Sequence, residues 1–142
     1  MNPEFQRCLE RKKIVPFEKG HTLVEKELRT AHEDLEIAKQ GLSFEKFKWP
    51  TIQAYYSQFH SARALLYSRG YREKSHFCLL VAIKAIFVAQ DLLKIEYTDA
   101  FYAGMILREN ADYRSDFSKS GALAVIRNAE EFLIKATAIL RN

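Results

Sequence analysis

The sequence predicts an all-α protein: an up-and-down antiparallel bundle of four to five main helices with a short extra helix at the N-terminus. Apolar residues recur at steps of three and four over long stretches, which is the pattern of amphipathic helices. Only five glycines and three prolines interrupt the chain. The connections between helical stretches are short, which favours antiparallel neighbours. We therefore expect no β-sheet.

The first two elements follow from the prolines and from one apolar seam. Pro3 opens a short helix that is expected to continue to about Lys13, where Ile14–Pro16 ends it. The second helix carries its apolar residues at alternating steps of four and three: Val24, Leu28, Ala31, Leu35, Ala38 and Leu42. These patterns divide the chain into an N-terminal extension, residues 1–20, and a helical bundle domain, residues 21–142.

The third and fourth helices are the most apolar. Trp49–Pro50 starts the third, because proline is favoured in a first turn, and Gly70 ends it at a left-handed cap position. The fourth is predicted over about residues 73–93, and its run Phe77–Ala89 leaves almost no polar face. Such a helix must be buried on more than one side, which indicates a central helix or a subunit interface. The second alternative favours a homodimer.

The last two helices are predicted from their caps. Thr98 and Asp99 are suited to cap the fifth helix, and Ser118 or Ser120 opens the sixth. The sixth has one apolar face, made of Leu123, Ile126, Ala129, Leu133, Ala136 and Leu140.

The composition of the chain excludes several classes of function. The N-terminus has no apolar signal core, and the most apolar stretch is too short to span a bilayer, so we expect a cytoplasmic protein without a membrane partner. Cys8 and Cys78 make no spacing pattern, which favours reduced thiols over a disulfide framework or a metal site. No motif indicates a cofactor. The net charge of +4 suits an acidic partner such as RNA, but it is small and dispersed, and ordinary surface charge is the favoured explanation.

Five polar residues on the third helix and in the turn after it are candidates for binding RNA or phosphate, or for supporting such a site. Tyr56, His60 and Arg63 follow one another at helical spacing beside the apolar stripe, and Arg72 and Lys74 lie in the turn. The structural alternative is that the ring bodies fill the core while their polar tips reach water or a backbone carbonyl.

Arg69 and His76 flank this turn and form the candidate catalytic pair. An imidazole transfers protons near neutral pH, and a guanidinium holds a phosphate in forked geometry. Together they would cleave RNA without a metal. The imidazole would activate the ribose 2′-hydroxyl or protonate the leaving oxygen, and the arginine would stabilise the charge that builds on phosphorus. The alternative is that His76 caps a helix and Arg69 lies in solvent. Arg108 and Asp112, one helical turn apart, are predicted to be a structural ion pair.

Four segments together resemble the HEPN family of small helical bundles: Gln53–Leu66, Gly70–His76, Arg108–Tyr113 and Ala129–Leu133. The resemblance covers nearly everything from about Val24 to Leu140. It implies a metal-independent ribonuclease of toxin–antitoxin type, in which Arg69 and His76 meet their copies at the cleft of a homodimer. It also implies a nucleotidyltransferase-fold antitoxin as partner. Other family members are nucleotide-binding or protein-interaction modules, so a catalytically silent module is the alternative.

Overall fold

The computed structural model describes residues 2–141, and these residues form an all-α bundle as predicted. The helices are α1 (Pro3–Glu10), α2 (Val24–Leu42), α3 (Lys48–Ser68), α4 (His76–Ile83), α5 (Ile95–Arg114) and α6 (Lys119–Leu140). A 3₁₀ segment (Glu18–Leu23) precedes α2, and a π-helical turn (Lys84–Val88) follows α4. Two short strands, β1 (Ile14–Pro16) and β2 (Tyr71–Glu73), complete the described chain. None of the helices in residues 2–141 is both apolar enough and long enough to cross a membrane.

The centre of the bundle is α3, which packs against α2, α4, α5 and α6. Alanines at its contacts allow close approach of the neighbouring helices, and Ala54, Ala62 and Ala64 are fully buried. The buried Ser57 hydroxyl donates to the Ala31 carbonyl of α2 at 2.7 Å, so the polar group of this tight contact is satisfied. Polar side chains on the exposed edges of α3 are thereby held at fixed positions.

Helix α4 is shorter than predicted and is buried within one protomer. Ser75 caps its start by accepting from the backbone N–H of Cys78 at 3.1 Å. The helical backbone changes to a π turn after Ile83, and the chain leaves it near Ala89. The residues from Cys78 to Ile83 are all buried by their own chain. The apolar run is therefore explained by a central position and does not require a subunit interface.

Besides α4, helix α1 differs at its end, since it stops at Glu10 rather than near Lys13, and α5 differs at its start. Helix α2 spans the predicted seam, Ser118 caps α6, and Gly70 follows α3 with φ of +79°, a left-handed conformation that glycine adopts without strain. Thr98 does not cap α5, because that helix already begins at Ile95. Its hydroxyl instead donates to the Ile95 carbonyl at 2.8 Å, inside the first turn.

The expectation of no sheet was wrong in one detail. Strands β1 and β2 pair antiparallel, with Ile14 opposite Glu73 and Pro16 opposite Tyr71. The pairing continues at both ends, since the Lys74 N–H donates to the Lys13 carbonyl and the Phe17 N–H to the Gly70 carbonyl. The segment that follows α1 and the segment that follows α3 satisfy each other's backbone groups in this way. The N-terminal extension is thus attached to the bundle by a hydrogen-bonded ladder.

The expectation of two reduced thiols was also wrong. Cys8 on α1 and Cys78 on α4 form a disulfide with a Cα–Cα distance of 5.8 Å. The two residues are 70 positions apart in sequence, and the strand pairing brings α1 against the first turn of α4. The contact is non-local, so no local spacing pattern could reveal it. The disulfide is a second attachment of the extension, and its Cys78 lies two positions after His76 in sequence.

Candidate functional site

His76 is the first residue of α4 and lies against the aromatic edge of α3. Its ring stacks on Phe59, with 4.4 Å between ring centroids, and its Nδ1 forms a 2.6 Å hydrogen bond with the Tyr55 hydroxyl. The Tyr56 ring meets it edge-on at 6.2 Å. The side chain is half-buried.

The hydrogen bond to Tyr55 leaves Nε2 of His76 available in either neutral tautomer. When Nδ1–H donates to the hydroxyl oxygen, Nε2 has a free lone pair and accepts a proton. When the hydroxyl donates to Nδ1, Nε2–H donates instead. Burial raises the pKa of Tyr55, so its hydroxyl stays protonated at neutral pH. Burial lowers the pKa of His76, and the charge of Arg108 lowers it further, so the imidazole is neutral at pH 7.

Arg108 is the arginine whose charge acts most on His76. Its guanidinium carbon lies 5.2 Å from the Tyr55 ring centroid, 5.7 Å from that of Tyr56 and 5.8 Å from that of Tyr113. The residue is only 9% exposed, and its Nε has no hydrogen-bond partner among the described residues. A buried cation with an unused donor is a candidate anion-binding group.

The predicted ion pair of Arg108 with Asp112 is present but long. The Nη1 to Oδ2 distance is 3.8 Å, and the Asp112 side chain is 35% exposed. Since the carboxylate is partly hydrated and outside hydrogen-bond range, it neutralises Arg108 only weakly. The guanidinium therefore keeps capacity for another anion.

Arg69 has different neighbours from His76. It is the exposed C-cap residue of α3, and its guanidinium carbon lies 4.7 Å from the ring centroid of the buried Phe87. His76 stacks on Phe59. Phe59 precedes Arg69 by ten positions, which corresponds to roughly 15 Å along the axis of α3. The catalytic pairing of Arg69 with His76 stays a prediction.

His60 and Arg63 are engaged by carboxylates. Arg63 makes a forked contact with the buried Glu73, with Nη2 to Oε2 at 2.6 Å and Nε to Oε1 at 3.2 Å. Glu27 contacts both His60 Nδ1 at 3.2 Å and Arg63 Nη1 at 3.3 Å. Burial alone would raise the pKa of Glu27, but His60 and Arg63 lower it overall. This cluster joins α2, α3 and β2, and β2 leads directly into His76.

The other predicted supporting residues lie in three different surroundings. Tyr56 is half-buried between Arg108 and His76 and therefore belongs to the candidate site. The Arg72 guanidinium carbon lies 5.1 Å from the Phe17 ring centroid, and Lys74 has an exposed side chain in the turn before α4. No three His, Cys, Asp or Glu side chains within residues 2–141 are arranged to hold a metal ion.

The sequence did not predict that Arg108 lies among Tyr55, Tyr56 and His76. Its spacing to Asp112 indicated a structural pair, and that local signal was correct about the contact. The relevant neighbours are Tyr55, Tyr56 and His76, which lie more than thirty positions away in sequence. Only the packing of α5 against α3 brings them together.

The comparisons with known proteins identify the family of this chain. The model of the HEPN domain matches residues 24–141, so the chain belongs to the HEPN family, and the resemblance predicted from its segments is confirmed. It is similar to a protein of Methanocaldococcus jannaschii named "Putative toxin MJ0605". The two are 29% identical over 107 residues, which cover 75% of this chain and 80% of that protein.

Proposed function

We propose that the chain is a metal-independent endoribonuclease of toxin–antitoxin type, with His76 as the proton-transfer group. The observation that supports this most is the buried Arg108 beside His76, with an Nε that has no hydrogen-bond partner among residues 2–141. The positive charge of Arg108 would attract a phosphodiester bound beside His76. The relative's name as a toxin is consistent with this activity.

The reaction follows from the groups present. Nε2 of His76 accepts the proton of a ribose 2′-hydroxyl, and the 2′-oxygen attacks the adjacent phosphorus. The bond from phosphorus to the 5′-oxygen breaks, and that oxygen takes a proton from the imidazolium or from water. Arg108 stabilises the negative charge that develops on the phosphoryl oxygens. The products are a 2′,3′-cyclic phosphate and a free 5′-hydroxyl. Arg69 is the alternative residue for stabilising this negative charge.

Incubation of the purified protein with mixed RNA in the presence of a chelator tests this proposal. We expect cleavage, with new ends that carry 2′,3′-cyclic phosphate. The chelator matters because an Arg–His mechanism needs no divalent ion. Intact RNA after prolonged incubation, with correctly folded protein, would contradict it.

The second candidate is a silent nucleotide-binding or protein-interaction module paired with a nucleotidyltransferase-fold partner. This candidate is favoured by the hydrogen bond between the Tyr55 hydroxyl and Nδ1 of His76, because a histidine that is satisfied by its own chain can have a purely structural role. This candidate predicts nucleotide or partner binding by the same site without any RNA cleavage. The nucleotidyltransferase-fold antitoxin is a proposed partner under both candidates.

We also propose a homodimer, and we place its interface on α5 rather than α4. Tyr102, Ile106 and Tyr113 are 47%, 42% and 75% exposed and recur at steps of four and seven along α5, next to Arg108. Burying such side chains is worth about 1.5–3 kcal/mol each. Sedimentation should show a dimer at micromolar concentration that Ile106→Asp dissociates and Ile134→Asp on α6 does not. A wild-type monomer under these conditions would contradict the homodimer.

A further inference from the structure

The corner between α2 and α3 carries an exposed aromatic surface outside the site described above. Phe44 is 73% exposed, Trp49 is 58% exposed and Ile37 is 46% exposed. Together with Lys46 and Gln53 they line one open groove of about 490 Å³. Gln40, Gly41 and Pro50 complete its lining, and we call it the corner groove. Large exposed apolar side chains that share one concave surface mark a binding site rather than ordinary surface.

The charge of the corner groove selects the chemistry of its ligand. Lys46 lines the groove, and the Nζ of Lys48 lies 5.3 Å from the Trp49 ring centroid. No carboxylate is among the described residues that line it, whereas the Gln40 and Gln53 amides are. Aromatic faces beside lysines fit the stacked bases and the phosphates of an unpaired nucleic-acid strand. An apolar helix would leave the lysines without a partner.

The close packing of α2 against the start of α3 fixes the backbone of the corner groove. A Cβ at Gly41 would lie 2.7 Å from Cγ of Pro50, so only glycine permits this approach of α2 to the start of α3. Pro50 itself is buried. A surface that is already ordered loses less conformational entropy when it binds a strand.

The corner groove and the candidate catalytic site lie on one side of α3. Trp49 precedes Tyr56 by seven positions, which is about two helical turns or roughly 10 Å along the axis. Side chains at this spacing project from the same side of a helix. A strand bound at Trp49 can therefore continue to Tyr56, Arg108 and His76.

We propose that the corner groove binds single-stranded RNA, with bases stacked on Phe44 and Trp49 and phosphates held by Lys46 and Lys48. That the strand is RNA rather than DNA rests on the proposed ribonuclease function. Duplex RNA presents stacked, paired bases that these rings cannot reach, so the groove selects unpaired segments. It acts in binding and has no part in the chemical step.

Trp49 is the only tryptophan of the chain, so its fluorescence reports on this surface alone. The probe is a 2′-O-methyl oligouridylate of about twelve nucleotides, a length within the usual range of such sites. Its blocked 2′-oxygen prevents cleavage. We expect the oligonucleotide to quench Trp49 emission, and we expect a duplex of the same length to leave it unchanged.

Two variants and a matched control test the contacts. Phe44→Ala should weaken binding about tenfold, the effect of losing one stacked base. Lys46→Gln with Lys48→Gln should lower the slope of log affinity against log salt by roughly 0.7 for each lysine. Ile134→Ala, which removes an exposed apolar side chain from α6, should leave affinity unchanged.

The outcomes separate this inference from the proposed function. Binding without a change in Trp49 emission, or wild-type affinity of Phe44→Ala, would overturn the corner groove as an RNA site even if the protein cleaves RNA. Quenching by a protein partner but not by the oligonucleotide would overturn it in favour of protein docking. Quenching together with an absence of cleavage would support the groove and reject the ribonuclease.

Discussion

His76→Ala is expected to lower the rate of RNA cleavage about 10²–10⁴-fold, the usual contribution of a general acid or base. The bundle should remain folded, because the ring is half-buried at the first residue of α4 and Ser75 still caps that helix. Rate measurements on cleaved RNA, with circular dichroism as a check of folding, decide the outcome. A variant that cleaves at the wild-type rate would exclude His76 as the proton-transfer group.

The pH profile of cleavage adds a second readout of the same residue. Burial and Arg108 lower the pKa of His76 below its usual value of 6.5. The imidazole acts as a base only when neutral, so the rate should fall as pH decreases through this lowered pKa. The acidic limb should be absent from the residual activity of His76→Ala.

The partner arginine is identified by two matched lysine variants. Arg108→Lys should slow cleavage by roughly 10²–10³-fold, since an ammonium cannot reproduce a guanidinium fork at the developing charge. Arg69→Lys should have a small effect if Arg108 is the partner, because Arg69 lies against Phe87. The reverse pattern would assign catalysis to Arg69 and would favour a site completed by the second subunit.

Glu73→Ala is expected to lower the free energy of unfolding by about 3 kcal/mol, the low end of the range for breaking a buried ion pair. The reason is that Arg63 loses its forked 2.6 Å partner, while Glu27 keeps contact with it at 3.3 Å. For a chain of this size the melting temperature should fall by roughly 10 °C. Thermal unfolding followed by circular dichroism measures the loss.

Glu130→Ala is the matched control for this ion-pair experiment. Glu130 forms an ion pair with Lys39 at the same 2.6 Å distance, but these side chains are 46% and 37% exposed. Hydrated pairs contribute less than about 1 kcal/mol. Equal losses for the two variants would show that burial does not distinguish these pairs, and the account of the Glu73 cluster would be wrong.

Local patterns were sufficient to predict most of the helices. The apolar residues from Val24 to Leu42 predicted α2, because the spacing of its own apolar residues is enough to indicate an amphipathic helix. Ser118 predicted the start of α6 because a cap is a contact between residues three positions apart. The Phe77–Ala89 run predicted burial but could not distinguish a central helix from an interface, since both require the same apolar residues.

Tertiary structure alone decided the features that join distant parts of the chain. The sequence predicted that Ile14–Pro16 ends a helix. In the structure these residues form a strand, because Tyr71–Glu73 supplies hydrogen-bond partners. The same pairing brings Cys8 to Cys78. Arg108 faces the Tyr55–His76 pair because α5 packs on α3. The sequence determined each helix through interactions within a few residues, whereas the site depends on which helices pack together.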